Sequence, residues 1–505
     1  MQLQRIIVFF LALLTTAAPA LAQSGKGSER RQQQHQQSAD QQPSGRGVLR
    51  LLPADSVTEH ALDTPQGKLN YIATAGTIPL YGQSGEQIAA IFYTSYVAKN
   101  AGGKRPLTFV FNGGPGAASA FLNLGLVGPR RLDFGPDARH PSEAKLVDNP
   151  DSWVRFTDLV LVDPIGTGWS RAAKADDAKD FWKIQSDADS MAKFISNYAT
   201  KHDRTLEPIY LLGESYGGFR AAKVTRTLQR DYGVAVSGIV MLSPLLEGWL
   251  TFGDDQSALR SALLLPSLAA ARLNAQNKLT SDALAKADKF ALTDYLTALA
   301  GPPLAGEAAQ AFYNRVAEVT GLPADVIAKS RGFVTGDVLK VLRDGKLVSR
   351  YDADFAVDDP FPERRGNRAP DPILDGVARA YGGAFANYAR NELGFNTEIT
   401  YKLLANDVTS GWDWGHAGRG QVGVEDELRV LLSFDPHFRL LIGHGMTDLV
   451  TPYADTRYLL DHLPNAEPPG RAQLKLYRGG HMFYLYPGAR ENFSKDAAAF
   501  YKAAP

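Results

Sequence analysis

The 505-residue chain contains no cysteine, and its 54 Lys and Arg balance its 54 Asp and Glu to a formal charge of zero. Without a thiol there is no cysteine nucleophile, no CxxC redox pair, no disulfide framework, no thiolate-bound zinc and no cysteine-lipidated anchor. Without an excess of charge there is no global field to hold nucleic acid or an anionic membrane surface, so neither is expected as a main partner. No HExxH or comparable ligand spacing is present, and neither a metal nor a cofactor is expected. The chemistry falls to oxygen and nitrogen side chains.

Long apolar runs are also scarce. One stands at residues 6–14, behind Arg5 and ahead of small residues at Ala20 and Ala22. It is well short of the roughly 20 residues that a membrane-spanning helix needs. Residues 1–22 therefore read as a signal peptide cleaved near Ala22 rather than as an anchor. Residues 23–47, rich in Gln, Ser, Arg and Gly, lack the apolar side chains that offset chain entropy and read as a disordered leader. A periplasmic or secreted product with no stable membrane association follows.

The ordered region begins near Val48. Residues 88–97 are rich in β-branched and aromatic side chains, and residues 107–111, 159–162, 209–212 and 239–242 are short apolar runs bounded by Gly, Pro or Asp. These predict buried strands. Between two of them Ala188, Met191, Phe194, Ile195 and Tyr198 recur at helical spacing. Such alternation predicts an α/β fold, a mostly parallel sheet flanked by helices. After Pro244 the pattern turns helical: Phe312, Val316 and Val319 share a face of a helix ended by Gly321 and Pro323, and Tyr381, Phe385 and Tyr388 repeat the spacing. Strand signals return at 438–442 and 473–477. The expected organisation is a catalytic domain over 48–245 and 430–505, interrupted by a mainly helical cap over 246–429.

Gly213-Glu214-Ser215-Tyr216-Gly217 follows one strand and precedes a helix, the setting of a nucleophile elbow. A serine hydroxyl needs a histidine base and an orienting carboxylate, in the chain order Ser, acid, His for this fold. Asp448 and His481 supply that order, each just after a predicted C-terminal strand. His444 shares the loop of Asp448 and reads as a neighbour of the site. His462, Asp455 and Asp461 fall in a helix-like stretch and read as solvated. His416 lies beside Trp412 and Trp414, which fit either a pocket wall or a packed aromatic cluster. Asn112-Gly113-Gly114-Pro115-Gly116 ends another strand, where a glycine-rich loop supplies one oxyanion N–H and the residue after the nucleophile the other.

Four blocks in this order resemble the serine carboxypeptidase family, the family of carboxypeptidase Y, with its α/β-hydrolase fold and inserted cap. They are the Asn-Gly-Gly-Pro-Gly block at 112–116, the stretch from Asn149 through Ser152-Trp153 to Pro164-Ile165-Gly166-Thr167-Gly168, Gly213 to Gly217, and Gly480-His481-Met482. The resemblance implies Ser215 as nucleophile, His481 as general base and acid, and Asp448 as its orienting carboxylate. It further implies Gly114 and Tyr216 as oxyanion donors, and Asn112, Gly113 and Glu214 as the site for the C-terminal carboxylate of a peptide or protein. A carboxylate facing Glu214 requires a shared proton, which raises the apparent pKa of the pair.

The chain departs from the pattern in three places. Leu126 stands where the family usually has a second glutamate, Ala117 where it has a cysteine, and Asp163 directly precedes Pro164 instead of lying two residues before it. Arg130 or Arg131 would be the nearest compensating charges in sequence. The expected function is a secreted serine carboxypeptidase; an esterase or acyltransferase on the same scaffold is the alternative, and a non-catalytic binding protein is a third reading that the filled triad positions oppose.

Overall fold

Apolar runs with no polar face can be satisfied only in a sheet covered on both sides, and five of them form the centre of this structure, a computed structural model. It describes residues 47–99, 104–335, 339–364, 370–464 and 468–502. The expected signal peptide, and the leader up to residue 46, lie outside the described residues. The strands are β1 (Ser56–Thr64), β2 (Gly67–Tyr81), β3 (Gln87–Ala98), β4 (Leu107–Phe111), β5 (Arg130–Asp133), β6 (Lys145–Asp148), β7 (Asp158–Val162), β8 (Arg171–Ala172), β9 (Ile209–Glu214), β10 (Gly238–Leu242), β11 (Lys346–Val348), β12 (Ala356–Asp358), β13 (Arg439–Gly445) and β14 (Ala472–Tyr477).

The main sheet runs in the spatial order β1-β2-β3-β7-β4-β9-β10-β13-β14, with β8 also on β3. From β7 to β14 neighbouring strands are parallel, whereas β1, β2 and β3 form an antiparallel extension joined to β7. β4, β7, β9 and β10 are buried at every position. Successive side chains serve opposite faces: Val110 and Leu212 enter one core with Trp153, Phe493 and Tyr484, while Phe109, Phe111 and Leu211 enter the other with Phe194, Tyr198 and Phe219. Helices Ile184–Lys201 and Tyr216–Thr227 cover the second face and helix Pro487–Lys502 the first. This is the α/β architecture that the alternating pattern predicts.

The region between β10 and β13 divides by its packing. Helices Ala258–Ala275 and Gly306–Thr320 close on a small core of their own, with Leu265, Leu268, Tyr295 and Val316 fully buried. Helix Ala380–Asn391 instead lays Tyr381, Phe385 and Tyr388 on the sheet core, where Phe385 meets Phe92 and Trp169. Helix Glu425–Phe434 does the same on the other face through Leu428, Leu431 and Leu432. Much of the stretch beyond residue 370 is thus sheet cover. Among the described residues no helix is long and apolar enough to cross a membrane.

Candidate active site

β9 ends at Glu214, and the chain turns through Ser215 directly into helix Tyr216–Thr227. Ser215 holds φ 58° and ψ −126°, a conformation unfavourable for a residue with a Cβ. Its backbone is pinned from three sides: its N–H donates to the Leu242 carbonyl (2.9 Å), and its own carbonyl accepts from Gly218 (3.0 Å) and Leu245 (3.1 Å). The turn is so tight that a Cβ on Gly213 would run into the Gly217 carbonyl. The Asn112–Gly116 loop closes on the same spot, because a Cβ built on Gly113 would stand 2.6 Å from the Tyr216 nitrogen. The backbone beside Gly114 and the Tyr216 N–H are thereby brought together next to Ser215.

Helix Tyr216–Thr227 is locked to this loop by a fully buried cation. Arg220 donates to Asp187 of the adjacent helix (2.7 Å) and to the Asn112 carbonyl (2.6 Å). Removing one partner of such a pair leaves an unpaired charge in a dry interior. Behind Tyr216, Trp412 and Trp414 pack edge-on at 5.2 and 5.5 Å. They form a packed cluster, and His416 beside them is exposed.

Asp448 and His481 meet where β13 and β14 end. His481 Nδ1 lies 2.8 Å from Asp448 Oδ2, with both side chains buried. Asp448 is saturated with donors: Val450 and Thr451 N–H on Oδ1 (2.7 and 3.2 Å), and the Thr451 hydroxyl on Oδ2 (2.9 Å). Burial works against a charge on His481, but Asp448, with further help from Glu214 and Asp371, outweighs it, so its pKa lies above the ordinary value. His481 and Ser215 line one cavity of about 480 Å³. The Ser215 hydroxyl has no hydrogen-bond partner among the described residues, and bonds of this kind commonly tighten only around a bound substrate.

Glu214 points into the interior beside that cavity and is 4% exposed. Asn112 Nδ2 donates to its Oε2 (2.5 Å), and the Tyr484 hydroxyl stands 3.0 Å from both oxygens. The Asn112 Oδ1 accepts from Leu122 N–H (3.1 Å), which fixes the amide orientation. Burial pushes the Glu214 carboxyl up to about 7, against the opposing pull of His481, Tyr484 and Asn112. A carboxyl group in this state gains or loses its proton near neutrality and can offer that proton to an anion.

Other sequence expectations fare unevenly. Leu126 is fully buried, and its carbonyl accepts from Asn149 Nδ2 (2.8 Å). Arg130 is engaged by Asp148 and Glu392, and Arg131 by Asp133, and neither lines the cavity. His444 is buried on Thr456 (2.8 Å), and burial lowers it to about 3, so it stays neutral. Asp461 and His462 are exposed, but Asp455 is not solvated: helix Tyr453–His462 turns it inward, and burial raises it to about 7. The helical period alone does not say which polar residue takes the inner face. Tyr484, Thr451 and Tyr351 escaped the sequence reading. Tyr484 stands only three residues beyond His481, a spacing that would have marked it as a neighbour.

Comparison with known proteins adds an independent line. The family description "Serine carboxypeptidase" matches residues 74–233, which include the Asn112–Gly116 loop and Ser215 but neither Asp448 nor His481. The pheromone-processing carboxypeptidase KEX1 of Cryptococcus gattii is 33% identical over 163 residues, 32% of this chain and 23% of that protein. A carboxypeptidase Y homolog of Arthroderma benhamiae is 30% identical over 161 residues, 31% of this chain and 30% of that protein. The alignments thus span under a third of these relatives' length. In three dimensions the chain resembles the crystal structure of a prohormone-processing carboxypeptidase from Saccharomyces cerevisiae, with a TM-score of 0.53 at 16% identity, over 86% of this chain and 91% of that one. That likeness establishes the fold.

Proposed function

We propose that this chain, a member of the serine carboxypeptidase family with the α/β-hydrolase fold, removes the C-terminal residue of peptides. In this reading Ser215 Oγ attacks the carbonyl carbon of the last peptide bond while His481 Nε2 takes its proton. The N–H groups of Gly114 and Tyr216 receive the oxyanion. The C–N bond then breaks, His481 returns the proton to the departing amine, and water hydrolyses the acyl-enzyme by the same route. Asp448 keeps the proton on Nδ1 and steadies the imidazolium. The expected export through the N-terminal segment makes the enzyme periplasmic or secreted.

One observation carries the exopeptidase reading: a buried carboxyl group, Glu214, adjoins the nucleophile and is poised near neutrality. Protonated, it donates to the free carboxylate of the substrate beside Asn112 and Gly113; ionised, it repels it. Tyr484 supports this role in a chain where Leu126 supplies no second acid. The cavity walls include Phe121, Leu245, Phe252, Leu404, Val450 and Met482, which favours apolar side chains near the scissile bond.

The test compares a free-acid peptide with its C-terminally amidated twin between pH 5 and 9. The raised His481 pKa makes kcat climb with pH for both, because only neutral imidazole accepts the proton. The KM of the free acid is expected to rise above pH ~7, approaching about tenfold per unit as Glu214 ionises, while that of the amide stays flat. Equal turnover of the two, with parallel pH profiles, would remove the carboxypeptidase assignment.

A further inference from the structure

The segment between β11 and β12, which belongs to the inserted region, threads between the two loops that carry Asp448 and His481. On one side the Arg350 carbonyl accepts from Leu449 N–H (3.0 Å) and Ala353 N–H donates to the Thr447 carbonyl (2.9 Å). On the other, the Tyr351 carbonyl accepts from His481 N–H (2.6 Å), and the Tyr351 ring meets the His481 imidazole edge-on at 5.2 Å. The residue between these contacts is a carboxylate, Asp352, 1% exposed. Its Oδ1 accepts from the Thr447 hydroxyl (2.6 Å), next to Asp448, and from Asp354 N–H (3.0 Å); its Oδ2 accepts from the Tyr486 hydroxyl (2.6 Å), beyond His481.

A buried carboxylate is stabilised only by donors, and here each oxygen draws its hydroxyl donor from a different loop. Asp371 anchors the start of the segment by accepting from the Ser349 hydroxyl (2.7 Å) and Arg350 N–H (2.9 Å). Just beyond β13 and β14 the two loops are still joined directly, by Met446 N–H to the Tyr477 carbonyl (2.9 Å) and Thr447 N–H to the Gly479 carbonyl (3.0 Å), and from Asp448 and His481 onward the segment lies against both and bridges them. Backbone bonds to Arg350, Tyr351 and Ala353 provide part of the bridge. Asp352 is the side chain that spans it.

We propose that Asp352 is a positioning residue for the catalytic pair: by holding Thr447 and Tyr486 it sets the distance and orientation between Asp448 and His481. The inserted region then contributes to the working of the base as well as to the pocket wall. This rests on the assignment of Ser215, His481 and Asp448 above. Asp352 touches neither the cavity nor the reacting atoms, so its effect belongs in kcat and in nucleophile reactivity rather than in substrate binding.

The experiment compares the full-length protein with its Asp352→Ala, Asp352→Asn and Tyr486→Phe variants. It measures kcat and KM on a free-acid peptide, the rate at which a fluorophosphonate labels Ser215, and the melting temperature. Asp352→Ala is expected to lose roughly 10- to 100-fold in kcat, with a matching fall in labelling rate and KM within about twofold. Asp352→Asn, which still bonds both hydroxyls, should recover most of that loss. Tyr486→Phe removes one donor and keeps the fold testable if the alanine variant does not fold; a several-fold drop in labelling rate is expected. Unchanged labelling in Tyr486→Phe, or in a folded Asp352→Ala, overturns the proposal and leaves the triad intact. A wild-type protein inert to the probe overturns the triad assignment itself.

Discussion

Ser215→Ala is expected to lower kcat by about a millionfold while leaving the melting temperature within a degree or two of wild type. The chemical side of this follows from the step the hydroxyl performs. With Oγ gone, His481 has no nucleophile to activate, and only the residual effects of binding and the oxyanion donors remain. The stability side follows from what the hydroxyl does not do. It bonds nothing among the described residues, and the turn is held by main-chain bonds to Leu242, Gly218 and Leu245 that alanine preserves. The positive φ is equally unfavourable for serine and alanine, so it cancels between the two proteins. Purified variant, assayed on a free-acid peptide with fluorophosphonate labelling and thermal melting alongside, gives all three readouts. Activity above about a thousandth of wild type in a folded variant would mean that another residue is the nucleophile.

The parts legible in the sequence are those whose chemistry is local in the chain. The runs that became β4, β7, β9 and β10 are apolar at nearly every position because both faces are covered. The elbow is legible because Gly213 and Gly217 are demanded by the turn itself. β1 and β2 were not legible: β1 is an edge strand with one buried residue, Leu62, and β2 carries Gly76 and Pro79, so β1 owes its strand character to pairing with β2, and β2 to pairing with β1 and β3, rather than to composition. Helix Ala380–Asn391 was legible as a helix, but its packing partners, Phe92 and Trp169, lie more than two hundred residues away. The same holds at the site. The Asp448–His481 order could be read; the strut through Tyr351 and Asp352, and the Arg220–Asp187 lock, join distant segments and have no local spacing to betray them.

Asp448→Asn carries the second large expectation, a loss of roughly 10⁴ in kcat at neutral pH with little change in stability. The substitution conserves shape, and the surroundings dictate how the amide must sit. Oδ1 accepts two backbone N–H groups, from Val450 and Thr451, and an NH2 turned toward them would set donor against donor. The asparagine oxygen therefore stays on that side and its NH2 faces His481 Nδ1. Nδ1 then becomes an acceptor, the imidazole proton moves to Nε2, and the nitrogen turned toward Ser215 can no longer take a proton. A second consequence separates this from simple loss of packing. Burial alone depresses the His481 pKa, and the raised value depends chiefly on the opposing charge of Asp448. Removing that charge should bring the pKa below the ordinary histidine value of about 6.5. NMR titration of the His481 ring in wild type and variant measures the shift directly, and fluorophosphonate labelling should slow in step with kcat. A variant that keeps a raised imidazole pKa and labels at the wild-type rate would assign the orienting carboxylate elsewhere, with Glu214 and Asp371, the other acids acting on His481, as the groups to examine next.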